Sequence, residues 1–301
     1  MKNILIVGVK GFIGSHLKSF FEDLGYTVYG ADVVTDYAAQ NYFLIDVANS
    51  NFNAVFQQQR FDLCVNCSGA ANVPDSLKNP NRDFHLNTVN VFRLLSAIRD
   101  FNADCRFLNL SSAAVYGNPK ILPVTEETEA QPVSPYGYHK YLSEMICTEF
   151  YQLFGVSTCS LRIFSAFGEG LKKQLFWDLY LKSQNKDKIQ LFGTGDETRD
   201  FIYIKDLVRL ISLVAEKSQF KSETINAANG IEISIQEAVS LFYSNYDNIP
   251  LYSFSAGIRK GDPSRWVADI TKIKELGYKP EHTLSQGLQN YYQWLQKKEN
   301  Q

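Results

Sequence analysis

Short apolar runs recur along the chain, each closed by glycine or small polar residues and followed by a stretch of helical period. Lys2-Asn-Ile-Leu-Ile-Val7 has the length of a buried strand, and beyond it Ile13, Leu17, Phe20, Phe21 and Leu24 fall at helical spacing. Thr27-Val-Tyr-Gly-Ala31, Phe61-Asp-Leu-Cys-Val-Asn66 and Cys105-Arg-Phe-Leu-Asn-Leu110 read as further buried strands, with a helix-like stretch near Asn81 to Phe101 between the last two. Continuous apolar strands alternating with amphipathic helices predict an α/β fold with a parallel, doubly wound sheet. Another helix start is written at Ser134-Pro-Tyr-Gly-Tyr-His-Lys140. Serine suits the N-cap, Pro135 suits the first helical position, and Leu142, Met145, Ile146 and Leu153 continue an apolar stripe. Ile225-Asn-Ala-Ala-Asn229 reads as one more strand of the main sheet.

The expected division is a main domain over residues 1–164, with about 201–230 crossing back to it, and a smaller discontinuous C-terminal domain of residues 165–200 and 231–301. The join between the first strand and first helix is Gly8-Val-Lys-Gly-Phe-Ile-Gly14. Gly8, Gly11 and Gly14, with Phe12 and Ile13 opening the helix, make a loop whose backbone can approach a pyrophosphate at a helix N-terminus. That makes the sheet Rossmann-type. Asp32 ends the second strand about 20 residues after the loop, where a carboxylate accepts from an adenosine ribose and favours NAD. Lys10, inside the loop, could reach a 2′-phosphate and leaves NADP open.

Composition narrows the classes. The 301 residues carry 30 basic and 32 acidic side chains, a formal charge of −2, so no net field recruits nucleic acid or an anionic membrane. No apolar run approaches the roughly 18 residues of a membrane span, and a cytoplasmic protein is expected. Five scattered cysteines make no disulfide framework, and neither Cys64-Val-Asn-Cys67 nor the four histidines have the company a metal site needs. No metal is expected. Glu126-Glu-Thr-Glu129 reads as a solvated loop.

The candidate chemistry lies in Tyr136 and Lys140, four residues apart and so on one helix face. A phenol titrates near pH 10 alone, and a nearby ammonium favours the phenolate, which suits proton transfer with an alcohol or sugar hydroxyl. A second match, Tyr116-Gly-Asn-Pro-Lys120, contains Pro119, which argues against helical geometry. Ser111-Ser-Ala-Ala-Val-Tyr-Gly117 follows a strand at the carboxyl edge, where a serine hydroxyl can bond a reacting oxygen.

Together the glycine loop, Asp32, Ser68-Gly-Ala-Ala71, Ser111 to Gly117 and Tyr136-x-x-x-Lys140 resemble the extended short-chain dehydrogenase/reductases, and within them the NAD-dependent nucleotide-sugar epimerase/dehydratase family. The resemblance continues through Leu161-Arg-Ile-Phe-Ser165, Phe192 to Phe201 and Ile258-Arg-Lys-Gly-Asp262. It implies Tyr136 as general acid/base, Lys140 as its electrostatic partner and ribose contact, and Ser112 as the hydrogen-bonding aid. It further implies that Asp46 and Val47 lie near the adenine, that Ala70 and Ser111 line the cofactor, and that Asn87 orders the site through water. Ser165, Arg199 and Arg259 would hold the substrate, the arginines gripping its diphosphate.

Ala113 and Ala114 stand where dehydratases of the family carry acidic residues, so water loss is not implied. The function expected is an NAD-dependent nucleotide-sugar epimerase, at C4, through a transient 4-keto sugar. The alternatives are an NAD(P)H-dependent 4-keto-6-deoxy-sugar nucleotide reductase and a catalytically silent cofactor-binding protein. A nucleotide-diphosphate sugar is the expected partner, with a homodimer built on paired long helices.

Overall fold

A computed structural model describes residues 2–47, 49–184, 188–257 and 264–299. Its centre is a parallel sheet of seven strands: β1 (Asn3–Val7), β2 (Thr27–Asp32), β3 (Tyr42–Leu44), β4 (Leu63–Asn66), β5 (Arg106–Ser112), β6 (Thr158–Ile163) and β7 (Lys221–Ala227). They lie in the order β7-β6-β5-β4-β1-β2-β3, so the order reverses between β1 and β4. Ligands bind above such a switch point in open α/β sheets.

The apolar runs are continuous because both faces of the sheet are covered. Ile4 and Ile6 of β1 pack in one cluster with Leu17 and Phe21 of helix α1 (Phe12–Asp23). Leu5 and Val7 point the other way, into a cluster with Val91, Leu94, Leu95 and Ile98 of α2 (Asn90–Phe101). Burying each such side chain contributes roughly 1.5–3 kcal/mol. The helix expected near 81–101 is broken into a short helix at Pro80–Phe84, a π turn at His85–Val89, and α2.

Helix α3 (Pro135–Phe154) starts as its sequence predicts: the Ser134 hydroxyl accepts from the Gly137 amide at 3.2 Å and Pro135 is the first residue. Its orientation corrects the expectation from its apolar stripe. Leu142, Met145 and Leu153 are exposed, while the buried face is Gly137, Lys140, Ser143, Glu144, Cys147 and Phe150. Polar partners on the sheet explain this: Asn109 donates to the Ser143 hydroxyl, and Ser111 and Arg162 bind Glu144. The Glu126 loop is also corrected. Glu126 is buried and accepts from the Asn226 amide at 2.9 Å.

Beyond β6 the chain makes short paired strands, Ser165–Phe167 with Phe201–Tyr203, Lys188–Leu191 with Leu251–Phe254, and Thr198–Arg199 with Ile233–Ser234. Between them α4 (Ile204–Lys217) returns to the sheet beside α1, and β7 adds to β6. Phe176, Phe242 and Tyr291 of the later helices belong to the same apolar cluster as Ile4 and Leu161, so this part shares one core with the sheet.

Candidate active site

The end of β1 makes the turn that the sequence requires. Gly8 has φ +82°, and a Cβ there would lie 2.7 Å from the Ser68 amide nitrogen after β4; a Cβ on Gly14 would lie 2.2 Å from the Gly8 carbonyl oxygen. Only glycine lets α1 begin this close to the strand ends. Gly11 is the N-cap and exposed, and no side chain caps the helix, which leaves its first amides for a ligand. Phe12 and Ile13 are half-buried and anchor this first turn on the core.

Asp32 sits at the carboxyl end of β2. Its oxygens accept from the Lys10 amide at 2.8 Å and the Val33 amide at 2.7 Å, which fixes the carboxylate and leaves lone pairs for hydroxyl donors. The Lys10 ammonium is bound by Asp36. Asp46 and Val47 are exposed just beyond β3, on the same edge of the sheet. Ala70 is half-buried in the loop after β4. Asn87, in the π turn, is buried with both its side-chain amide nitrogen and oxygen unpartnered. Buried amide groups are ordinarily satisfied, so an open amide pair is a place for water or a ligand. The glycine cradle, fixed Asp32 carboxylate and orphaned Asn87 amide all fit a dinucleotide.

At the carboxyl end of β5, Ser112 caps a 3-10 turn, its hydroxyl accepting from the Ala114 amide at 3.2 Å. The same hydroxyl lies close enough to the Tyr136 phenol to favour its ionised form. A Cβ on Gly137 would sit 2.5 Å from the Ala114 carbonyl oxygen, so the helix approaches this turn closely enough to bring the two hydroxyls together. Lys140, buried, donates to the Leu110 carbonyl at 2.8 Å, its nitrogen 6.0 Å from the Tyr136 ring centre. Burial pushes the Tyr136 phenol up to about 12, partly offset by Ser112, and pulls the Lys140 amine down to about 8. The protein groups alone therefore do not bring the phenol near neutrality. Ser111 is turned away: its hydroxyl is committed to Glu144 at 2.5 Å, leaving only its backbone for a ligand.

The second Tyr-x-x-x-Lys match is structural. Tyr116 is buried, donates to Asn226 at 2.7 Å and carries the Arg162 guanidinium over its ring. Ser165 and Arg199 lie on neighbouring short strands, the Ser165 amide bonding the Asp200 carbonyl at 3.0 Å. The Arg199 guanidinium donates to the Thr198 carbonyl at 2.8 Å and lies 5.7 Å from the Trp266 ring centre. Arg259 lies outside the described residues. Sequence reasoning missed Trp266, Asp83 and His139; the His139 ring meets buried Asp83 at 2.5 Å. Their separation of 56 residues gave no local signal.

These features define a class first: an α/β enzyme that works with a dinucleotide cofactor. The chain belongs to the NAD dependent epimerase/dehydratase family, whose model matches residues 4–228, and its cofactor is NAD. An uncharacterized UDP-glucose epimerase of Bacillus subtilis is 30% identical over 97% of this chain and 97% of its own. A UDP-glucose 4-epimerase of Corynebacterium glutamicum is 26% identical over 93% of this chain and 91% of its own. Among solved structures, the UDP-glucuronic acid 4-epimerase of Bacillus cereus, in complex with UDP-glucuronic acid and NAD, superposes with a TM-score of 0.87 at 27% identity, covering 98% of this chain and 99% of that one.

Proposed function

We propose that the protein interconverts nucleotide-diphosphate sugars that differ in configuration at C4, through a transient 4-keto sugar. The observation that carries this is the buried Lys140 amine 6.0 Å from the Tyr136 ring centre, one helical turn on and with Ser112 close to the phenol, beside the glycine cradle of an NAD-dependent enzyme. NAD held at the glycine cradle would supply reversible hydride transfer at C4, so that no net oxidation occurs. Tyr136 takes the C4 hydroxyl proton as the carbonyl forms and gives it back as the carbonyl is reduced. Ser112 holds the same oxygen. With its phenol pushed up to about 12, Tyr136 needs a positive neighbour to work near neutrality, and the Lys140 ammonium is the chain's own contribution.

The cofactor would be held by Gly8, Gly11, Gly14 and the α1 amides, Asp32, the Asp46 and Val47 edge, Ala70 and Asn87. Ser165, Arg199 and Arg259 would face the nucleotide sugar, the arginines pairing bidentately with its diphosphate. Residues 1–164 with about 201–230 then serve NAD, and residues 165–200 with 231–301 serve the sugar nucleotide. The relatives described above are epimerases, and Lys10 is occupied by Asp36; both favour epimerisation over one-way reduction. Exposed Phe92 on α2 and Leu142 and Met145 on α3 supply an apolar face for a homodimer.

The test incubates the purified protein with UDP-glucose, UDP-glucuronic acid and UDP-N-acetylglucosamine and follows the C4 epimer by NMR. Wild type is expected to form an epimer from at least one, and Tyr136→Phe to lose about 10²–10⁴ in turnover while nucleotide released on denaturation remains NAD. Unchanged turnover in Tyr136→Phe would overturn its role.

A further inference from the structure

Lys10 belongs to the glycine loop, yet no step of the proposed reaction uses its side chain. Its backbone amide donates to one Asp32 oxygen at 2.8 Å, so the residue starts directly beside the carboxylate that ends β2. Its ammonium is carried elsewhere. It pairs with an oxygen of Asp36 and lies 5.4 Å from the centre of the Tyr42 ring. The ion pair therefore ties the glycine loop after β1 to the loop between β2 and β3, at the edge of the sheet that suits the adenosine half of a dinucleotide.

The loop is shaped for this contact. One Asp36 oxygen accepts the Ala38 and Ala39 amides at 3.1 Å each, which curls the chain around the carboxylate and leaves the second oxygen for Lys10. The Tyr42 hydroxyl bonds the Val34 carbonyl, holding the start of β3 against the same loop. The paired side chains are still 36% and 28% exposed, and a pair this exposed adds little to stability. Its weight lies in local charge. With Asp32 beside it, the corner holds two carboxylates against one ammonium.

We propose that Asp36 sets the choice of cofactor: by taking the Lys10 ammonium it denies a 2′-phosphate its cation and sets a second carboxylate against it, so the site takes NAD and disfavours NADP. This rests on the placement of Asp32 at the adenosine ribose given above. An unpaired ammonium in the glycine loop would bind phosphate oxygens through charge-assisted hydrogen bonds, whereas the 2′-hydroxyl of NAD needs no cation and can donate to Asp32. Asp32 and Lys10 point to opposite cofactors when read from the chain alone, and the ion pair removes the conflict.

The test incubates the purified protein with equal, excess concentrations of NAD and NADP until the bound ratio is constant, removes free nucleotide, and measures by mass spectrometry what denaturation releases. Wild type is expected to release NAD almost alone. Asp36→Asn keeps an oxygen for the Ala38 and Ala39 amides and should lower the NAD-to-NADP ratio about tenfold or more, the worth of one hydrogen bond to a charged group. Asp36→Ser serves the same arm if the asparagine variant does not fold. Adding Lys10→Met should cancel most of the gain, since the gain needs the freed ammonium. A ratio unchanged in both Asp36 variants, or a gain that survives Lys10→Met in full, defeats the proposal. A ratio that moves with Asp36 but not in Asp32→Ser upholds the ion pair and sinks the placement of Asp32 instead. Retention is read without turnover, so a protein inactive on every nucleotide sugar would decide the matter equally.

Discussion

At Gly14 a methyl group would meet the Gly8 carbonyl oxygen at 2.2 Å, with backbone rather than a flexible side chain in the way. Gly14→Ala must therefore push α1 away from β1. The expected cost is about 1–3 kcal/mol in stability, together with loss of copurified NAD; urea denaturation and analysis of released nucleotide check the two effects. Residues such as Gly14, Asp32, Tyr136 and Lys140 were legible as candidates because the chemistry proposed for them depends on short spacings that survive in a linear text. Ser111 was only half legible, since its neighbour Ser112 has the same hydroxyl and only the fold shows which one turns toward Glu144. Glu126 looked like one of several loop carboxylates, yet it alone of Glu126, Glu127 and Glu129 is buried, receiving the Asn226 amide.

Helix α3 shows how a pattern can name an element and mislead about its faces. Its cap and proline fixed the start, but Leu142, Met145 and Leu153 of the apolar stripe lie outside, with Ile146 alone of it packed on the core, and a carboxylate, a lysine and a serine lie inside. The inward face depends on Arg162 of β6, which reaches Glu144 through two nitrogens and Glu126 through a third. Replacing Arg162 with Met would leave Glu144 buried with Ser111 as its main partner. A loss of about 3–5 kcal/mol is expected, because an uncompensated buried charge costs more than the pair contributes. Urea unfolding of Arg162→Met measures it, and a companion Glu144→Gln/Arg162→Met variant should recover part of the loss. The π turn at His85–Val89 left no mark in the sequence, since its residues continue a helical pattern on both sides.

On the scale of the whole molecule, the sheet was legible where strands are long and buried, and the satellite was not. Its strands run two to four residues and are defined by pairing partners far away in the chain, such as Ile233 with Arg199. β6 and the edge strand β3 were likewise not assigned as strands from their own residues, although both belong to the main sheet. The outward apolar faces of α2 and α3 are the surfaces on which a homodimer is proposed. Leu142→Glu with Met145→Glu should convert the dimer to a monomer in sedimentation velocity while NAD remains bound, and a wild type that sediments as a monomer would remove that assembly from the proposal.

The sheet order has a consequence for how the molecule is made. β6 is buried along its whole length, but its outer neighbour, β7, comes from Lys221–Ala227, some distance later in synthesis. While the intervening residues leave the ribosome, β6 offers an unpaired apolar edge, the kind of surface that recruits other strands. The nascent chain cannot complete its sheet until residues 165–220 have been translated, so the last strand closes onto β6 only after the first part of the satellite has been made.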